Sequence, residues 1–315
     1  MPAKFSSGSQ INLGRQLVHL GVTVAYARTH FQGEPDLAQH DALADWAARS
    51  GFAGIEVAAF SQEHLALDFA DLEALRRFAA RWRERGLAVS AFEAGFLRHL
   101  VISDDPLVRR RATEGLKRSL EVAQALGTDL VYFHSAPHPS WTVEVRRLYD
   151  DFSPPVNVEI PPTFGWDHAW AQYVDTVGGM AEVAAQAGMR LAMEVRPYEM
   201  VSTADGARRL MDAAGSSALG VVFDTAHFFV QKEILPVAIE KLAGRIFLVH
   251  LADNDGVFDY HWAPGRGQVP WESALRALRK IGYQGFANID VAGTYDDIDG
   301  EICFGRDFIR PRMST

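Results

Sequence analysis

The sequence predicts a single α/β domain, a (β/α)8 TIM barrel over residues 1–315, and three observations carry that expectation. Eight short β-rich runs recur along the chain, with amphipathic helical segments between them. Glycines placed like helix stops precede several runs: Gly51, Gly86, Gly127, Gly188 and Gly282. The chain's 315 residues accommodate eight such units in one domain. Strands that alternate with helices pair in parallel, because a parallel neighbour is reached through a crossover. A doubly wound open sheet competes, but no glycine-rich dinucleotide fingerprint follows the first strand. Gly265-x-Gly267 follows the seventh strand and lacks a third glycine.

In chain order, strands are expected at 17–26, 53–59, 88–94, 130–135, 191–196, 219–224, 246–252 and 286–291. Helices are expected at 71–85, 106–126 and 170–187. The first of these sets Leu72, Leu75, Phe78, Ala79 and Trp82 on one face. The connection after the fourth strand, 136–168, is long and holds six prolines. It reads as a lid over the barrel mouth, a surface for a neighbouring subunit, or a passive insertion. A homo-oligomer stays open on that basis.

Composition narrows the function classes. With 48% hydrophobic and 23% charged residues, the chain is an ordinary globular protein large enough to need no disulfides. Its one cysteine, Cys303, cannot pair within the chain, which fits a reducing cytoplasm. A net charge of −9 argues against nucleic acid and anionic membranes as partners. The apolar run 17–27 is too short to span a bilayer, contains His19 and lacks a signal-peptide flank.

The chemistry is written at the strand ends. "LAMEVRP" ends on Glu194, "GVVFD" on Asp224, "IFLVH" on His250 and "FANID" on Asp290. Their neighbours are apolar, so alternation turns the polar residue into the barrel and the neighbours outward. One such residue is most simply a hydrogen-bonded core group; four on successive strands point to a site. Three converging carboxylates repel one another unless a cation sits between them. A Glu, Asp, His, Asp set suits one divalent ion, with Mn²⁺ ranked first and Zn²⁺, Co²⁺ or Mg²⁺ as alternatives. The same rim holds Glu93, His134, Arg196 and, on the loop "DYHWAPGRGQVPW", Asp259, His261 and Arg266. Glu93, His134 and Glu194 could also hold a second ion. Glu56, inside "GIEV", reads at least as well as a structural carboxylate.

Taken in order, "GFAGIEV", "EVAQALGTDLVYFH", "LAMEVRP", "GVVFDTAHF", "FLVHLADNDG", "HWAPGRGQVPW" and "GFANIDV" resemble the xylose-isomerase-like TIM barrel superfamily, in the group described as sugar phosphate isomerases/epimerases. The resemblance covers about residues 15–310. In the ketose 3-epimerases of that group a Glu, an Asp, a His and a second Glu hold the metal. It thus implies Glu194, Asp224, His250 and Asp290 as ligands, with His227 and Arg266 touching substrate oxygens. Asp290 departs from the epimerases' glutamate, and its shorter reach weakens a two-base epimerisation. Abasic-site endonucleases share the superfamily, and Asp259-x-His261 with His227 resembles part of their third zinc site. Glu93 stands where one of their histidines belongs, so the nuclease ranks lower.

The implied enzyme is a metal-dependent carbohydrate isomerase or epimerase acting on a keto-sugar or related small polyhydroxy carbonyl compound. Glu194 or Asp290 would remove a carbon-bound proton to give an enediolate, with His227 assisting. His134, Arg196, His261, Arg266 and Glu93 would bind the substrate. Expulsion of a β-oxygen from the same intermediate makes a dehydratase or lyase the alternative. A non-catalytic sugar-binding barrel is less favoured, because all four ligand positions keep metal-competent side chains.

Overall fold

The computed structural model describes residues 18–145, 153–154 and 156–313. The two faces of each core strand are filled differently, and this sets the architecture. Residues such as Val57, Phe92, Val131, Met193, Phe223 and Val249 face outward into the main apolar core beneath the helices. Alternate residues Ala91, Leu130, Tyr132, Ala192, Val222 and Leu248 pack together as a separate cluster filling the barrel.

The strands in chain order are β1 (His19–Val22), β2 (Gly54–Ala59), β3 (Ala88–Ala94), β4 (Leu130–His134), β5 (Thr142–Val145), β6 (Val156–Glu159), β7 (Arg190–Glu194), β8 (Leu219–Asp224), β9 (Ile246–Leu251) and β10 (Phe286–Ile289). Eight of them close a barrel in the order β1-β10-β9-β8-β7-β4-β3-β2, and each pairing between named neighbours is parallel. The predicted barrel is the observed one. Two register shifts matter for the site. Ile55 pairs with Val89 but Glu56 with Ala91, so Ser90 is an extra residue in β3. Val221 pairs with Ile246 but Val222 with Leu248, which leaves Phe247 extra in β9. Such bulges re-aim side chains at barrel rims.

Local chemistry fixes the helix ends. Asp105 caps the helix Pro106–Leu126 through Leu107 N, proline occupies its first turn, and Gly127 closes it at φ 83°. Asp71 caps Leu72–Glu84 by accepting from Glu73 N and Ala74 N. Among the described residues, no helix is long and apolar enough to cross a membrane.

Three boundaries differ from expectation. The first strand stops at Val22, and Val24–Phe31 is a helix; residue 17 lies outside the described residues. Val24 and Ala27 are buried at helical spacing, and a short apolar run does not by itself distinguish strand from buried helix. The helix expected from 170 starts at Trp166. The long connection carries an antiparallel hairpin, β5 with β6, unforeseen because each strand has only four residues.

Candidate active site

His250 forms the centre of the site. Its Nδ1 lies 2.7 Å from Glu194 Oε1, 3.9 Å from Asp290 Oδ2 and 4.0 Å from Asp224 Oδ2. The four strand-end residues therefore meet at one point at the C-terminal mouth of the barrel, where barrel enzymes carry their chemistry. On its other side, His250 Nε2 lies 2.8 Å from Glu56 Oε1. Glu194 Oε2 is 2.9 Å from His134 Nε2, which is 3.5 Å from Glu93 Oε1. The Tyr132 hydroxyl reaches Glu56 Oε2 at 2.9 Å and Glu93 Oε2 at 3.1 Å. A phenol has one proton to donate. Burial raises the Glu93 carboxyl, which suits it to be the protonated partner of the two.

A second half-circle continues from Asp290. Its Oδ1 accepts from Thr23 Oγ1 at 2.5 Å, and its Oδ2 lies 2.8 Å from His261 Nδ1. His227 Nδ1 lies 2.8 Å from Asp259 Oδ2, and the His227 and His261 rings are 4.9 Å apart. Asp259 also accepts a hydrogen bond from Ser153, so the long insertion reaches the barrel mouth. Arg196 is buried among Glu199, Glu194 and Asp259, and Arg98 pairs with Glu199 at 2.6 Å.

Imidazoles are interleaved with the carboxylates, and the titration follows. Burial alone would depress the His250 ring, but Glu56 and Glu194 outweigh it and hold the ring well above the ordinary histidine value. His261 likewise resists burial and rises to about 9 beside Asp224 and Asp290. Burial opposes ionisation of Glu194 too, yet His134 and His250 hold it well below the usual carboxylate range. Asp224 differs: burial outweighs His227 and raises it.

A divalent ion suits this donor set. Asp224 Oδ1 caps the helix Thr225–Val230 through Ala226 N and His227 N, whereas its buried Oδ2 has no hydrogen-bond partner among the described residues. That orphaned oxygen faces His250 Nδ1, and ligand atoms of Glu194, Asp224 and His250 all lie within 4.8 Å of one another. Asp224, His227 and His261 form a second group meeting the same limit. Carboxylate oxygens with imidazole nitrogen are donors for Mn²⁺, Zn²⁺ and similar ions.

Most of the residues singled out in the sequence are thus brought together: Glu194, Asp224, His250 and Asp290 at the centre, with Glu93, His134, His227 and His261 around them. Arg266 is not. Its guanidinium bonds Glu301 at 2.8 and 3.1 Å and lies 3.7 Å over the Phe304 ring, held against the last helix, Ile298–Arg312. Sequence reasoning missed Tyr132, Thr23 and Asn288, and left Glu56 as structural. The available signal was parity, since Tyr132 and Asn288 each stand two residues before a rim residue and share its face.

Comparison with known proteins agrees with this fold. Residues 44–302 match the family described as "Xylose isomerase-like TIM barrel". Fructoselysine 3-epimerase of Shigella flexneri is 22% identical over 254 residues, covering 79% of this chain and 84% of its own. D-psicose 3-epimerase of Enterocloster bolteae is 27% identical over 240 residues, covering 75% and 71%. The crystal structure of the IOLI protein with a zinc atom bound aligns with a TM-score of 0.71 at 18% identity, covering 94% of this chain and 98% of that one. An eight-stranded parallel barrel with its polar residues gathered at the strand ends, matched from residue 44 to 302, belongs to the xylose isomerase-like TIM barrel family.

Proposed function

We propose that the protein is a carbohydrate epimerase or isomerase acting on a keto-sugar, with Glu194, Asp224, His250 and Asp290 holding one divalent ion, Mn²⁺ first among the candidates. One observation carries the reading: oxygens of three carboxylates lie within 4.0 Å of His250 Nδ1 at the barrel mouth. The epimerase relatives and the zinc-bound IOLI structure support it.

Bound there, the ion supplies a Lewis acid for adjacent hydroxyl and carbonyl oxygens of the substrate. The chain's own groups do the rest. Glu194 removes the carbon-bound proton, and His134, 2.9 Å from its second oxygen, keeps that carboxylate oriented. His227, fixed through Nδ1 by Asp259, contacts substrate oxygens and steadies the enediolate. Asp290, held between Thr23 and His261 and one methylene shorter than a glutamate, reaches less far toward the substrate carbon and serves chiefly as a ligand.

That last arrangement also keeps a second reading in view. With one base instead of two, loss of a β-oxygen from the enediolate competes, giving a dehydratase or lyase acting on a keto-sugar, keto-inositol or 3-keto-glycoside. The test is incubation of EDTA-stripped and Mn²⁺-restored protein with ketohexoses and 3-keto-glycosides in D₂O. The epimerase reading expects metal-dependent activity and deuterium at the inverted carbon. Dehydrated product would select the lyase. Full activity without metal, or cleavage of abasic-site DNA with no sugar turnover, would overturn both.

A further inference from the structure

We propose that Glu56 is the positioning residue for His250: its carboxylate holds Nε2 and so turns Nδ1 toward Glu194, Asp224 and Asp290. This rests on the metal reading above and assigns a role to a residue outside the ligand set.

The geometry around Glu56 leaves little freedom. The side chain is fully buried inside the barrel. Oε1 faces His250 Nε2 at 2.8 Å and accepts from Asn288 Nδ2 at 2.6 Å. Oε2 accepts from the Tyr132 hydroxyl at 2.9 Å and, more weakly, from Val24 N at 3.4 Å. Four donors converge on one carboxylate, no lysine or arginine among them. The ring is held between two carboxylates, Glu56 on Nε2 and Glu194 on Nδ1. An ion bound at Nδ1, the atom at the focus of the other three carboxylates, would take the place of the proton there and leave Nε2–H on Glu56, since a carboxylate only accepts. Hydrogen bonding of a ligating imidazole to a carboxylate fixes its tautomer and raises its basicity, and loss of that partner weakens metal binding about 10–100-fold.

Two features of the barrel serve this contact. The extra residue Ser90 in β3 accepts from Asn288 Nδ2 at 2.9 Å, which aims the same amide at Glu56. Gly21 makes room for it, since a Cβ there would collide with Asn288 Oδ1. A buried carboxylate is costly without a purpose. Here it is supplied with donors from three separate strands, which a passive filler would not need.

The experiment titrates Zn²⁺ into metal-stripped wild type and Glu56→Gln against a chromophoric chelator. It also reads the ring-nitrogen tautomer of His250 by ¹⁵N NMR in the Zn²⁺-loaded wild type. A glutamine can keep its oxygen toward His250 and its amide toward the Tyr132 oxygen, so the variant retains the shape and loses the charge. The expected result is a folded variant by circular dichroism, Zn²⁺ affinity lowered about 10–100-fold, and the His250 proton on Nε2 in wild type. Affinity within about threefold of wild type, a difference too small for a lost ligand partner, overturns the proposal. So does a proton on Nδ1, and that measurement decides the matter even where Glu56→Gln fails to fold. Wild type that binds no ion sinks the metal reading itself; wild type and variant binding equally sink only the role of Glu56.

Discussion

The hydroxyl of Thr23 donates to Asp290 Oδ1 at 2.5 Å, joining two residues 267 positions apart where the first and last barrel strands meet. Pairing of Val22 with Ile289 sets this contact, which closes the barrel at its mouth. His261 engages the other oxygen at 2.8 Å; burial pushes the Asp290 carboxyl up, but His261 outweighs it and holds it below the usual carboxylate range. With donors fixing both of its oxygens, Asp290 is a well-oriented ligand.

Asp290→Asn is therefore expected to lower metal affinity along with activity, and raised Mn²⁺ should restore part of the rate. Thr23→Val should act in the same direction more weakly, since one hydrogen bond to a charged group contributes about 1.5–3 kcal/mol. Rate measured against Mn²⁺ concentration checks both. If Asp290→Asn binds metal normally yet abolishes proton exchange with solvent, Asp290 is itself the base.

Asp253 organises the loop that follows β9. Its Oδ1 accepts from Asn254 N and Val269 N, its Oδ2 from Gly265 N and the Trp271 indole. It is fully buried. Asp253→Ala strands these donors away from water and should cost about 3 kcal/mol or more. Urea unfolding measures it, and a loss below about 1 kcal/mol, the size of one ordinary hydrogen bond, would contradict the role assigned to Asp253.

His40 gives a pH dependence remote from the site. Burial depresses its ring from 6.5 to about 4. The folded state thus stays neutral down to about 4, while the unfolded chain takes up a proton below 6.5. The contribution is complete above pH 6.5 and is lost as pH falls from 6.5 toward 4, amounting to about 3 kcal/mol over that window. His40→Leu should flatten the slope of stability against pH between 7 and 4.5 relative to wild type. Parallel slopes would mean that His40 does not titrate this way.

The legible part of the site was the part that interrupts apolar runs. Asp224 after Val221-Val222-Phe223, or His250 inside "FLVHL", is conspicuous because burial of such groups needs a reason. Glu56, Tyr132 and Asn288 lie deeper, where one inward polar residue is ordinary, and Glu56 meets Tyr132 and Asn288 across 76 and 232 positions. No local pattern records such distances. Arg266 shows the converse: its loop is conspicuous, but the docking of Glu301 and Phe304 decides where its side chain goes. The helix Val24–Phe31 was hidden by Val and Tyr, residues that favour strands until tertiary packing decides otherwise.

Glu194 decides between one base and two. It touches His250 through Oε1 and His134 through Oε2, so it belongs both to the metal group and to the rim that meets the substrate. Replacement by glutamine keeps the size and one oxygen donor but removes the capacity to accept a proton. Glu194→Gln should lower kcat by at least about 10², the ordinary contribution of a positioned base, and added Mn²⁺ should not recover it. Asp290→Asn, in contrast, should regain rate with metal. The pair is read together: kcat at saturating Mn²⁺, with solvent deuterium exchange into substrate as the direct record of proton removal. Glu194→Gln that exchanges deuterium at the wild-type rate would move the proton transfer to a rim histidine, His134 or His227, and leave Glu194 as a ligand alone.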